Sequence, residues 1–156
     1  MTATALLLRQ HRKIQQLIEQ LRTDGYRRAT LLSNVIEELS AHMAIEDNLL
    51  YPTAQRALGV SLKCERETSH RAKQTLHCLT TSHIRGEAFL GKVVELEEIF
   101  RQHVALEEGT LMPALVRRLD ASTLEELGDD MERLASALGT KYHARGRSRA
   151  RDHAAE

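Results

Sequence analysis

An all-α fold, an up-down-up-down four-helix bundle with one additional C-terminal helix, is predicted by three features of the sequence. Apolar residues recur at three- and four-residue intervals over long stretches. Only two prolines and eight glycines interrupt 156 residues. No stretch shows the apolar/polar alternation of a half-buried strand.

The first helix is expected from about Ala3 to Arg22, because Leu7, His11, Ile14, Ile18 and Leu21 form one stripe and Asp24-Gly25 punctuates it. The second begins near Tyr26 and carries Leu32, Val35, Leu39, His42, Glu46 and Leu49 on one face. It is expected to bend or stop at Pro52, which lacks an N–H and crowds the carbonyl of Asn48, and to end at Leu58 before Gly59. A third helix spans about Leu62 to Thr81. A fourth spans about Glu87 to Leu119, with Leu96, Phe100, His103, Glu107 and Leu111 aligned. Ser122-x-x-Glu125 reads as a capping box for a fifth helix, whose stripe is Leu124, Leu127, Met131, Leu134 and Leu138 and whose end is Gly139. Its stripe reads as packing against the bundle rather than as a dimer seam. Residues 1–140 therefore read as one domain, and the basic segment 141–156, with Arg145, Arg147, Arg149 and Arg151, as a disordered tail.

Composition narrows the function. The formal net charge is zero and aromatic residues make up 3 %, which argues against a nucleic-acid surface despite the arginines of the tail. No apolar run approaches the roughly 20 residues that span a bilayer, and the first eight residues do not form a secretory leader. Cys64 and Cys78 lie 14 residues apart on one expected helix. At 1.5 Å per residue that places them about 21 Å apart, beyond disulfide reach. A cytoplasmic, reducing location is the expectation.

The most informative feature is a repeated motif. His42, Ala44, Glu46, Asp47, Leu50 and Pro52 recur 61 residues later as His103, Ala105, Glu107, Glu108, Leu111 and Pro113. A weaker echo, 59 residues apart, matches His11, Arg12, Gln15 and Leu17 to His70, Arg71, Gln74 and Leu76. A His and a Glu four residues apart project from one helix face. Both copies lie on apolar stripes, where a bare carboxylate must take up a proton or find a cation. A metal pair and a buried hydrogen-bonded network are the two readings this leaves. His11 interrupts the aliphatic stripe between Leu7 and Ile14 and has the partners a ligand needs. His70 is placed with the ligands by the echo, although the apolar line Ala72, Leu76 and Leu79 points away from it. Four imidazoles and two carboxylates on facing helices suit iron or manganese better than calcium, magnesium or structural zinc. Six such ligands leave open positions on two ions. Asp47 and Glu108 read as surface carboxylates, with holding a ligand ring as the alternative. Tyr51 reads either as a pocket residue or as helix-end packing.

These residues resemble the hemerythrin-like, His-His-Glu cation-binding domains, over about Leu7 to Leu119. The resemblance implies a four-helix bundle with an oxo- or hydroxo-bridged pair of irons. It makes His11, His42 and His103 terminal ligands, Glu46 and Glu107 bridging carboxylates, and His70 the ligand of the third helix. Manganese is the alternative metal. The oxygen-carrying members have a second third-helix His four residues after the first; Gln74 stands there, and His77 lies about 10 Å along the axis from His70. That departure shifts the expectation from reversible oxygen carriage toward binding and reduction of dioxygen, peroxide or nitric oxide with electrons from an external donor. A redox or oxygen sensor without turnover is the alternative function.

Overall fold

A computed structural model describes the backbone of residues 1–152 and the side chains of residues 1–139. Within it the chain is all helical: α1 (Ala3–Thr23), α2 (Arg28–Ile45), α3 (Tyr51–Leu58), α4 (Lys63–Thr81), α5 (Glu87–Leu106), α6 (Met112–Arg118) and α7 (Ala121–Asp152). Two five-residue π turns, Glu46–Leu50 and Glu107–Leu111, join α2 to α3 and α5 to α6. Each of these pairs is thus one long bundle helix, as expected, and with α1 and α4 they complete a four-helix bundle.

The Thr2 side chain caps α1 by accepting from the Ala5 N–H, and Ala3, Leu6, Leu7, His11, Ile14, Ile18 and Leu21 are its buried face. After α1 the Asp24 carboxylate accepts from the backbone N–H groups of Tyr26 and Arg27. This turn delays α2 to Arg28 and leaves Tyr26 fully exposed. Gly59, with φ +65°, closes α3 in the left-handed conformation that favours glycine. For α7 the cap is Asp120, whose carboxylate accepts from the Thr123 N–H at 2.7 Å, rather than Ser122. Nor does α7 end at Gly139. Its backbone stays helical to Asp152, because an interior glycine costs only about 1 kcal/mol and helix-forming residues follow. Of the expected disordered tail, 141–156, residues 141–152 have a helical backbone, and their side chains and residues 153–156 lie outside the described part of the molecule. Cys64 and Cys78 are free and exposed on α4.

The helices bury two separate apolar clusters. One contains Ile14, Ile18, Val35, Leu39, Phe89, Val93, Leu96 and Phe100. The other contains Leu6, Leu7, Ile45, Leu50, Tyr51, Leu111, Leu115, Leu127 and Met131. His11, His42 and His103 occur near where α1, α2 and α5 pass from one cluster to the other. No described helix is long and apolar enough to cross a membrane.

Helix α7 packs against α1 and α2 and supplies Leu127 and Met131 to the second cluster. Gly128 is required for that fit. A Cβ there would meet the Met1 carbonyl oxygen at 2.0 Å and the Ala3 nitrogen at 2.9 Å. Gly128→Ala gains about 1 kcal/mol of helix propensity but must displace backbone. Overpacking of this kind costs about 1–3 kcal/mol. A net loss is expected, read as a lower denaturant midpoint at unchanged slope.

Candidate metal centre

Each copy of the repeated motif makes an α-to-π transition at its glutamate. The Glu46 N–H reaches both the His42 and Met43 carbonyls, and the Glu107 N–H reaches those of His103 and Val104. The cause lies downstream. Pro52 and Pro113 have no N–H to donate and crowd the carbonyl four residues back. The turn before each proline widens, and the helix continues instead of stopping. Widening has two consequences. The buried stripe shifts by one residue, so that Leu50 is buried where Leu49 was expected. The residue five beyond the glutamate is also brought into line with it. In the first copy that residue is Tyr51, whose phenol donates to Glu107 Oε1 at 2.9 Å and lies 3.3 Å from Glu46 Oε2. In the second copy it is Met112.

Five of the six expected ligands converge. One potential ligand atom each from His11, His42, Glu46 and His103 lies within 4.8 Å of all the others, and all four residues are buried. Glu46 Oε1 is 2.7 Å from His42 Nε2 and 3.1 Å from His103 Nε2, and these two imidazole nitrogens are 3.4 Å apart. Glu107 Oε2 is 3.4 Å from His11 Nε2 and 3.8 Å from His103 Nε2. These separations are close to the roughly 3 Å between neighbouring ligands bound at about 2.1 Å to one ion. The Phe100 ring stacks on His103, with centroids 5.6 Å apart, and meets His11 and His42 edge-on. It closes the cluster on the side of the first apolar core.

His11 Nε2 and Glu107 Oε2 face each other at 3.4 Å, yet both are buried without a hydrogen-bond partner. Buried polar atoms are ordinarily satisfied. Two electron-pair donors aimed at one space, neither bonded to the other, are what a cation site looks like with the protein atoms alone. The outward nitrogens of two rings are held. His11 Nδ1 is 2.8 Å from Glu108 Oε1, and His42 Nδ1 donates to Gln10 Oε1 at 3.0 Å. Such contacts fix ring orientation and leave Nε2 for a metal. Glu108, its side chain 36 % exposed, thus holds a ring from the surface. Its counterpart Asp47 pairs with Lys73 instead.

Without a cation the cluster shares protons. Burial raises the Glu46 pKa, but the charges of His42 and His103 outweigh it and hold the carboxyl well below its usual range. Glu107 is pushed up, by burial and then by the charge of Glu46. Burial disfavours the charged His103 ring, but Glu46 overrides this and pushes it up to about 9. The Tyr51 phenol is raised far above its usual range by burial and by the charges of Glu46 and Glu107.

His70 is not brought to the cluster. It is exposed and lines an outer groove between α4 and α5 with Lys73, Gln74, His77 and Lys92. The reason is the apolar line Ala72, Leu76 and Leu79. These are buried, and they set the rotation of α4 so that Glu65, Thr68 and Ser69 face inward instead. His70→Ala is expected to leave metal content and melting temperature unchanged, as read by elemental analysis and a thermal melt of the variant.

Fold and site together define a helical-bundle protein with a buried His/carboxylate group able to hold metal. The family model of the hemerythrin HHE cation-binding domain matches residues 2–115, and the chain belongs to that family. No curated protein matches it. Among solved structures it is similar to a hemerythrin HHE cation-binding domain-containing protein, the Rv2633c homologue from Mycobacterium kansasii. The TM-score is 0.79 at 21 % identity, over 90 % of this chain and 89 % of that one. That likeness is one of fold.

Proposed function

We propose that the chain is a non-haem di-iron protein that binds, and with an external electron donor reduces, a small oxygen or nitrogen species such as dioxygen, peroxide or nitric oxide. The observation that carries this reading is the convergence of three imidazole Nε2 atoms and two carboxylates in a dry layer, with His11 Nε2 and Glu107 Oε2 unpartnered. An imidazole-plus-carboxylate set suits iron, with manganese as the alternative. His11, His42, His103, Glu46 and Glu107 would hold the ions, with the Tyr51 hydroxyl beside both carboxylates. Bound iron would supply the redox chemistry. The protein's own part is to exclude water with the two apolar clusters, to hold the rings through Glu108 and Gln10, and to keep a proton on Tyr51 next to both carboxylates.

The test is elemental and optical analysis of freshly purified protein. About two irons per chain, with visible charge-transfer bands that change on adding peroxide, support the reading. A preparation reconstituted with ferrous iron that holds none sinks it. A sensing role is favoured by one observation: α7 packs on the first π turn, which carries Glu46. Iron-dependent protection of α7 from hydrogen exchange, without peroxide turnover, would select it.

A further inference from the structure

An imidazole that binds metal through Nε2 keeps its proton on Nδ1, and that N–H needs an acceptor. The His11 ring has Glu108, on the second π turn, and the His42 ring has Gln10, on α1. His103 Nδ1 is buried and has no partner. Leaving a buried N–H unpaired costs about 1–3 kcal/mol.

Glu65 answers that vacancy in kind. Apart from Glu46 and Glu107 it is the buried carboxylate among the described residues, 9 % exposed. It sits in the first turn of α4, which packs along α5, the helix that carries His103. Its carboxylate makes no hydrogen bond or ion pair among the described residues, and it adds, after Glu46 and Glu107, the smallest of the charges that favour a protonated His103 ring. Four residues on, the Ser69 hydroxyl is likewise buried and without a partner, a donor on the same face of α4. A place near a helix N-terminus favours a carboxylate, but it does not call for burying one.

We propose that Glu65 accepts the outward N–H of His103, as Glu108 and Gln10 serve the other two rings, so that α4 contributes a positioning carboxylate in place of a ligand imidazole. The proposal rests on the metal reading of the centre only for its effect on affinity. The contact itself is testable without metal.

The experiment uses the full chain with 15N-labelled histidine. In metal-free protein the His103 Nδ1 proton is expected to be protected from solvent exchange, and in Glu65→Ala that protection should fall at least tenfold. Competition against a chelator should show ferrous iron and zinc bound about 10–100-fold more weakly by Glu65→Ala. Glu65→Gln keeps a carbonyl acceptor, the group Gln10 offers to His42, and should recover most of both effects. Circular dichroism of each variant checks that the helices remain.

Equal behaviour of Glu65→Gln and Glu65→Ala would reduce Glu65 to a charge effect and overturn the proposal. A fall in metal stoichiometry with the N–H still protected would make Glu65 a ligand and overturn it equally. If the wild type takes up no metal but the N–H protection still depends on Glu65, the metal reading fails and this contact stands.

Discussion

Glu46→Ala combined with Glu107→Ala is expected to purify with less than about a tenth of the wild-type metal content. The two carboxylates are the anionic members of the cluster. Without them, three neutral imidazoles in a dry layer would have to hold dipositive ions with no charge compensation. In metal-free protein, Glu46→Ala alone already has a large effect, because it removes the partner of both His42 and His103. Removing one member of a buried ion pair costs about 3–5 kcal/mol. The His103 ring, held protonated up to about 9 by Glu46, should return to neutral at pH 7. Elemental analysis of the double variant and NMR titration of His103 in the single variant check these results. A double variant that keeps its metal would leave only the buried-network reading of the residues.

The second large effect is a divergence between metal-free and metal-bound stability as pH rises. The His103 pKa is raised from 6.5 to about 9 in the folded protein. A group raised on folding stabilises the fold fully below its unfolded value and loses that contribution as pH climbs through the folded one. Metal-free protein should therefore lose stability between about pH 6.5 and 9, on the order of 3 kcal/mol from this ring. Glu107, also raised, acts in the same sense above its usual 4.5. Glu46, lowered, acts oppositely and contributes above 4.5. Metal binding must expel the His103 proton, so affinity rises with pH, by up to about tenfold per unit for each proton released. Thermal melts at pH 6 and pH 9, with and without ferrous iron or zinc, should show the two melting temperatures moving apart. A metal-free melting temperature that climbs over this range contradicts the assignment of His103 as the proton holder.

Much of this was legible in the residues. The five main helices, the doubled motif and the five residues that converge stand on periodic stripes, and periodicity is what burial imprints on a sequence. His70 shares its neighbouring letters with His11 but not a place on a buried stripe. Ala72, Leu76 and Leu79 turn α4 the other way. The π turns were not legible. Pro52 signals only that the regular hydrogen bond cannot form; whether a helix stops, bends or widens depends on what holds both sides of it. Tyr51 could be singled out as a pocket residue, but its two carboxylate partners depend on that widened turn. Glu65 and Ser69 were invisible because polar residues on a helix read as solvent-facing until a neighbouring helix covers them. Glu108 and Asp47 are equivalent positions of the repeat, and what separates their roles is the residue each meets, His11 on α1 or Lys73 on α4.

The polar layer between the two apolar clusters has a consequence for assembly as well as for chemistry. Leucine-rich helices can slide past one another by a turn, about 5.4 Å, with little change in the apolar area they bury. Here such a slip would carry Glu107 or His42 into a wall of leucine and phenylalanine and strand it there. The layer therefore acts as an alignment pin. It makes one stagger of the four helices much cheaper than its neighbours, a use of buried polar groups best known from coiled coils.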